Sequence, residues 1–319
     1  MKELSRRECA QWLEDRNRFL ILTHRNPDGD TLGSSAALCR GLRQLGKTAH
    51  LLYNPETPKD LAPLVEDLWK ETPEEGDLLV AVDVAADNML PKSWASLKNC
   101  IDLRIDHHGS GREYAPMELV ESDSASCAEI IWELLLELGV ALDEAIADAI
   151  YVGVATDTGC FRYANTTAHT FDAAADCLAA GARVFDWNLK LFETVSLPKL
   201  RLQGWMAEHT QLYADRKLAL CALPKAVEQE IGVDEDELGN LCAFLRSIKG
   251  VCMAALLREV DERNTKVSVR ALPGYNAAAV CEKFEGGGHA GAAGCSVRLP
   301  LQEAAEVFAK AMLEWENGG

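Results

Sequence analysis

The sequence predicts an α/β fold, with an N-terminal, mostly parallel sheet flanked by helices and a smaller C-terminal α/β domain with a mixed sheet. Three observations carry this expectation. Short apolar runs of strand length, at residues 19–22, 77–84 and 100–105, alternate with segments of helical spacing. That alternation is the pattern of parallel strands joined by right-handed crossovers. Residues 266–271 instead alternate Val267, Val269 and Ala271 with Ser268 and Arg270, as a half-exposed strand does. The chain has 319 residues, a length that accommodates two domains.

Taken in order, 19–22 is the first strand and 32–45 a helix that stops at Gly46. A second strand is expected over 47–53 and a helix-like segment over 59–70. The third strand, 77–84, ends in Asp83. The fourth, 100–105, runs into Asp106-His107-His108 and then Gly109-Ser110-Gly111. Two helices follow, over 124–138 and 143–155, the second leading into Thr156-Asp157-Thr158-Gly159. Asp157 thus falls at a helix C-terminus, where a carboxylate opposes the macrodipole and calls for a cation. Asn165-Thr166-Thr167 opens a helix over 168–180, and 185–195 has helical spacing. Ser196-Leu197-Pro198 is a helix start. These signals divide the chain into a domain over 1–185, a linker over 186–199 and a second domain over 200–319. In that second part 218–222, 251–258 and 295–299 are expected strands. Helices are expected over 234–248, 277–284 and 301–315.

Composition narrows the function. A hydrophobic fraction of 48% with 26% charged residues describes a soluble globular chain. Residues 1–18 are charged throughout and lack the apolar centre of a signal peptide. No apolar run approaches the roughly 20 residues of a membrane span, so a cytoplasmic protein without a membrane partner is expected. Eleven cysteines, none spaced C-x-x-C, argue against a zinc ribbon or dithiol centre and for reduced thiols. A net charge of -18 excludes avid, non-specific binding of long duplex nucleic acid. Small phosphorylated ligands remain compatible if cations and a few local arginines supply the positive field.

The chemistry-bearing residues gather where strands and helices end. His24, Asp28 and Asp30 occupy the turn after the first strand, at the carboxyl edge of a parallel sheet where ligands bind. The ordinary alternative is a turn, with Asp30 or Thr31 capping the helix. Asp83 and Asp106-His107-His108 leave the same edge, and one imidazole with two carboxylates already forms half of a mixed N/O metal site. Arg162 suits a phosphate contact or a solvated surface position equally. Residues 285–294 hold five glycines around His289. They allow close backbone approach to a ligand, and successive N–H groups there can form an anion-binding nest with Arg270 nearby. The run is neither a P-loop nor a dinucleotide fingerprint, and the spacing after Asp28 is not that of an EF-hand.

With these residues in view, His24-x-x-x-Asp28-x-Asp30, Asp83, Asp106-His107-His108 and Asp157 resemble, in order, the four motifs of the DHH phosphoesterase superfamily. Gly286-Gly287-Gly288-His289 with Ala293-Gly294 resembles the glycine motif of its DHH-associated C-terminal domain. Length and layout resemble the nanoRNase / adenosine 3′,5′-bisphosphate phosphatase type. The Ser-Arg-Lys-Lys-Gln signature of family II inorganic pyrophosphatases is missing; Asp215-Arg216-Lys217-Leu218 is the nearest run.

The resemblance implies a metal-dependent phosphoesterase acting on short oligoribonucleotides, on adenosine 3′,5′-bisphosphate, or on both. The alternatives are a cyclic or linear dinucleotide phosphodiesterase and, less favoured, an inorganic pyrophosphatase. It implies two divalent cations, one on His24, Asp28 and Asp83, the other on Asp30, Asp83, His107 and Asp157. Two cations about 3.5–4 Å apart can hold a hydroxide and clamp a phosphate for in-line displacement. Mn²⁺ suits the donor set best, with Mg²⁺ or Co²⁺ as substitutes. His108 is expected to serve the phosphate or the leaving oxygen, and Asp106 to fix its neighbours. Arg270, Gly287, Gly288 and His289 would grip the nucleotide, and a homodimer is expected.

Overall fold

The computed structural model describes residues 2–109, 113–238 and 241–318. The Ser110-Gly111 end of the third motif and the centre of the helix expected over 234–248 lie outside the described residues. The chain forms two compact units, Met1–Thr194 and Val195–Gly319.

In the first unit the strands are β1 (Lys2–Glu3), β2 (Arg18–Leu22), β3 (Thr48–Leu52), β4 (Trp69–Lys70), β5 (Leu78–Val82), β6 (Ile101–Asp106) and β7 (Met117–Val120). The helices are α1 (Arg6–Glu14), α2 (Gly29–Gln44), α3 (Cys127–Glu137), α4 (Glu144–Asp157), α5 (Ala168–Ala179) and α6 (Val184–Asn188). The seven strands form one sheet in the order β1-β7-β6-β5-β2-β3-β4, and every pairing is parallel. From β2 the chain moves to β3 on one side and later returns to β5 on the other. The crevice at their carboxyl ends is therefore the topological switch point, the ligand position of open α/β sheets.

Residues alternate across the central strands. Phe19, Ile21, Val80 and Val82 enter one core with the helices, while Leu20, Leu22, Leu79 and Ala81 enter the other. The second core is closed by 3₁₀ turns at Asp87–Met89 and Lys92–Leu97. Burial on both faces explains the unbroken apolar runs.

Two local expectations change. Residues 59–70 form two 3₁₀ turns, Ala62–Leu64 and Glu66–Leu68, followed by β4, rather than a helix. Pro63 has no N–H to donate, and its ring disfavours α-helical backbone at the preceding Ala62. Over 185–195 the helical spacing is met: α6 continues into a π turn at Leu189–Glu193 before α7 (Leu197–His209) begins. The helix expected from Leu32 starts at Gly29, and Asp28 caps it.

In the second unit α7 has Ser196 as its N-cap. It is followed by β8 (Gln211–Tyr213), β9 (Leu218–Leu223), α8 (Lys225–Ile231) and α9 (Leu241–Arg246). Then come β10 (Met253–Asp261), β11 (Asn264–Ala271), α10 (Ala277–Glu282), β12 (Gly287–Gly288), β13 (Ala292–Val297) and α11 (Leu301–Gly318). The sheet order is β12-β13-β11-β10-β9-β8. Only β9 and β10 pair in parallel, so the sheet is mixed. Val267 and Val269 pack under α10 and α11, whereas Ala254 and Leu256 pack under α7 and α9.

Candidate metal centre

Each of the motif residues of the first unit is delivered by the end of a buried element. His24 follows β2, and buried Asn54 holds its carbonyl at 3.0 Å. Asp28 caps α2, accepting from the amides of Asp30 at 3.1 Å and Thr31 at 3.2 Å. Thr31 in turn donates to the carbonyl of Val82 at 2.9 Å, pinning the start of α2 to the end of β5. Asp83 follows β5 in a left-handed backbone conformation, φ 59°, which costs less for Asp than for most residues. Asp106 ends β6, and Asp157 ends α4.

Two glycines bring α2 and α4 together. A Cβ on Gly33 would lie 2.3 Å from the carbonyl oxygen of Ala149, and one on Gly153 would lie 3.0 Å from Asp30 Oδ1. This approach places Asp30, in the first turn of α2, beside the last turn of α4. Asp30 also accepts from the amides of Cys127 (2.7 Å) and Ala128 (2.9 Å) and from the Ser34 hydroxyl (3.0 Å). A carboxylate at the α3 N-terminus gains from the helix dipole as well as from these donors.

Among the described residues three groups of donor atoms result, one of them Asp83 with His107 and His108, whose Nδ1 lies 3.5 Å from Asp83 Oδ1. His24 Nε2 lies 3.6 Å from Asp28 Oδ1 and 3.7 Å from Asp83 Oδ2. His107 Nε2 lies 3.5 Å from Asp157 Oδ2, 3.6 Å from Asp83 Oδ1 and 3.8 Å from Asp30 Oδ2. These separations are too long for hydrogen bonds. They suit atoms that share a cation at bond lengths of about 2.0–2.2 Å. The other ring nitrogens face backbone carbonyls, His24 Nδ1 that of Arg25 at 2.7 Å and His107 Nδ1 that of Ser124 at 3.3 Å. Protons on those nitrogens leave each Nε2 lone pair directed at the carboxylates, the usual support for a ligating imidazole.

The electrostatics have the same sense. Asp83 Oδ1 is buried without a hydrogen-bond partner. Burial, and then the charges of Asp30, Asp28, Asp106 and Asp157, hold the Asp83 carboxyl well above the usual range. Burial also lifts Asp30, against the pull of His107. Asp157 is pushed up to about 8, by burial first and then by Asp30 and Asp28. Clustered buried carboxylates that resist ionisation are costly unless cations join them. The donor set therefore fits divalent metal.

Asp106 stands apart. Its Oδ1 lies 2.8 Å from His108 Nδ1 and accepts from the amides of His107 (2.8 Å) and His108 (3.1 Å). The fully buried Arg104 guanidinium binds its Oδ2 and reaches Glu118 at 3.2 Å. Burial alone would raise the Asp106 carboxyl, but His108 and Arg104 hold it below its ordinary value. The imidazole of His108 therefore carries its proton on Nδ1 and presents Nε2.

Arg104 and Glu118 were not singled out from sequence, nor was Asn54. The available signal was a charge inside an apolar parallel strand, since an arginine at such a position needs buried partners. After α4, Gly159, Cys160 and Phe161 all have left-handed φ, 57°, 58° and 60°. In that turn exposed Arg162 donates from Nε to the Gly159 carbonyl at 2.5 Å.

Arg270, Gly287, Gly288 and His289 belong to the second unit. Half-buried Arg270 donates to the Val269 carbonyl at 3.1 Å. The glycine run is a hairpin, not an open nest. Gly287 and Gly288 pair with Gly294 and Ala293, and the His289 amide donates to Ala292 at 2.8 Å. Strand pairing satisfies groups that a nest would leave free for an anion.

Residues 18–154 match the model of the DHH family, N-terminal domain, and residues 222–318 match that of the DHHA1 domain. The bifunctional oligoribonuclease and PAP phosphatase NrnA of Thermus thermophilus is 32% identical over 300 residues, 92% of this chain and 89% of the relative. The protein of that name from Bacillus subtilis is 29% identical, over 87% of this chain and 89% of the relative. The solved structure of an exopolyphosphatase-related protein from Bacteroides fragilis has the same fold. Its TM-score is 0.89 at 24% identity, covering 98% of this chain and 96% of that one.

Proposed function

The chain belongs to the DHH family, and from that premise we propose that it hydrolyses short oligoribonucleotides and adenosine 3′,5′-bisphosphate, with two Mn²⁺ ions in preference to Mg²⁺ or Co²⁺. It is a phosphoester hydrolase that depends on divalent metal. The observation that carries the proposal is the meeting of His24, Asp28, Asp30, Asp83, His107 and Asp157 at one sheet edge, in a chain alike along nearly its whole length to oligoribonucleotide and PAP hydrolases.

His24, Asp28 and Asp83 would hold one cation, and Asp30, Asp83, His107 and Asp157 the other, with Asp83 common to both. When bound, such a pair neutralises phosphoryl oxygens and makes water acidic enough to react near neutral pH. Asp157 must give up its proton before it can serve as a ligand, so occupancy rises with pH toward about 8. Asp106, itself held by Arg104, orients His108 through Nδ1. Nε2 of His108 serves the phosphate or the leaving oxygen. Arg162 contacts the phosphate. Arg270, Gly287, Gly288 and His289 bind the nucleotide, chiefly through side chains and close backbone approach. We also propose a homodimer, supported by the exposed apolar side chains of Phe171 and Leu178, which share a face of α5. No helix among the described residues is long and apolar enough to cross a membrane, which is compatible with the proposed cytoplasmic location.

The test is to strip the protein with chelator and restore Mn²⁺. It is then assayed on di- and pentaribonucleotides, adenosine 3′,5′-bisphosphate, cyclic dinucleotides and pyrophosphate. Mononucleotide and AMP products are expected only with metal. Turnover confined to pyrophosphate or cyclic dinucleotides, or activity indifferent to chelator, overturns the proposal.

A further inference from the structure

Asn54 follows β3 at a position only 2% exposed. An amide so buried is tolerated where its polar groups find partners, and those of Asn54 do. Its Nδ2 donates to the Thr23 hydroxyl at 3.1 Å and to the His24 carbonyl at 3.0 Å, while Oδ1 accepts from the Glu56 amide at 3.0 Å. The last bond is the turn that an Asn side chain makes with its own backbone two residues on. Thr57 closes the same turn on the Asn54 carbonyl, through its amide at 3.1 Å and its hydroxyl at 2.8 Å. Because β2 and β3 pair in parallel, this loop and the turn that carries His24 leave the same edge of the sheet.

The loop brackets that turn from both sides. Asn54 holds Thr23 and His24, and Glu56 Oε2 accepts from the Asn26 amide at 2.8 Å. Asn26 has a left-handed φ of 49°, a conformation that Asn adopts more readily than most residues but that still costs energy. Between these grips the Arg25 amide donates to the Met89 carbonyl at 2.7 Å. The Arg25 carbonyl is thereby set in place, and it faces His24 Nδ1 at 2.7 Å. The imidazole takes its orientation from that carbonyl, and the carbonyl takes its own from the bracket. The other two donors of this group are held by other means. Asp28 is tied to the first amides of α2, and the Asp83 amide donates to the Ile105 carbonyl at 2.9 Å. Loss of the bracket therefore falls on His24.

We propose that Asn54, seconded by Glu56, is a positioning residue of the metal centre. It sets Nε2 of His24 before Asp28 and Asp83, and so fixes the affinity for the cation those three side chains share. It acts through the backbone of residues 23–26 and the His24 ring. An imidazole on a slack turn has rotational freedom to lose when metal binds, and a partner that removes that freedom beforehand raises affinity. This rests on the two-cation reading above.

The test is calorimetric titration of the metal-stripped full chain with Mn²⁺. Asn54→Ala is expected to weaken one of the two cations by roughly 10–100-fold, the usual cost of removing support from a ligand, and to leave the other within about twofold of wild type. His24→Ala retains the cation of Asp30, Asp83, His107 and Asp157. Adding Asn54→Ala to it should leave that cation within about twofold, because the ligand through which Asn54 acts is already gone. A residue that merely stabilised the fold would weaken this cation as well. Glu56 is exposed, so its variants test the bracket even if Asn54→Ala does not fold. Glu56→Ala should weaken the same cation about fivefold, from one lost hydrogen bond, and Glu56→Gln, which keeps an acceptor for the Asn26 amide, should restore it. Unchanged affinity in Asn54→Ala, equal weakening of both cations, or further weakening in the His24→Ala background overturns the proposal. Where Asn54→Ala does not fold, unchanged affinity in Glu56→Ala overturns it. A wild type that binds fewer than two Mn²⁺ overturns the two-cation reading and the role of Asn54 with it. Two cations in the wild type and unchanged affinity in Asn54→Ala overturn the role of Asn54 alone.

Discussion

Asp157 is the residue whose protonation reports most directly on the charge of the centre. Its carboxyl is pushed up to about 8, whereas an unfolded Asp titrates near 4. Between those values the folded chain binds a proton that the unfolded chain lacks. Stability therefore falls as pH rises through that window. The metal-free protein is expected to lose melting temperature steadily from pH 5 to pH 8, with saturating Mn²⁺ abolishing the trend because the cation takes the proton's place. A flat metal-free profile would refute the buried-carboxylate account. His108 gives a separate prediction. His108→Ala should lower kcat by roughly 10²–10⁴-fold while calorimetric Mn²⁺ affinity stays near wild type, since Nδ1 faces Asp106. At this scale much was legible: His24, Asp28 and Asp30 follow an apolar run directly, and Asp157 sits at a dipole-opposed helix end. Arg104 is obscured in the sequence because the hydrophobic members of its strand dominate the pattern. The left-handed run at Gly159, Cys160 and Phe161 has no residue signal beyond its glycine.

Between elements, the α2–α4 crossing sets the distance between Asp30 and Asp157. Gly33→Ala places a methyl 2.3 Å from the Ala149 carbonyl oxygen, and neither backbone can yield without moving its helix. The expected cost is about 1–3 kcal/mol of stability, read by denaturant unfolding, together with weaker Mn²⁺ binding. Unchanged metal affinity in a destabilised variant would separate packing from site geometry. Long periodic helices and apolar strands were readable because burial imposes their period. β1, β7 and the 3₁₀ turns were not, because short segments containing Glu or Pro carry too few periods. The sequence offers Asp30 or Thr31 as the cap where the structure uses Asp28, since each of these side chains can satisfy orphan amides. The choice depends on Asp30 being drawn to the amides of α3, a tertiary contact.

For the molecule as a whole, the two units carry two chemistries: acidic and imidazole groups in the first, Arg270 and the glycine hairpin in the second. Arg270→Ala should therefore raise KM for adenosine 3′,5′-bisphosphate more than it lowers kcat. A pure kcat defect in steady-state kinetics would exclude a binding role. The hairpin that occupies the glycine run was not readable in the sequence, because pairing partners are invisible in a local window. The outermost strands have a consequence of their own. β1, β4 and β12 are two residues long, and β8 is three. Each sheet thus ends in a margin too short to template a strand from a neighbouring molecule. Concentrated solutions of the folded protein are accordingly guarded against runaway fibre growth.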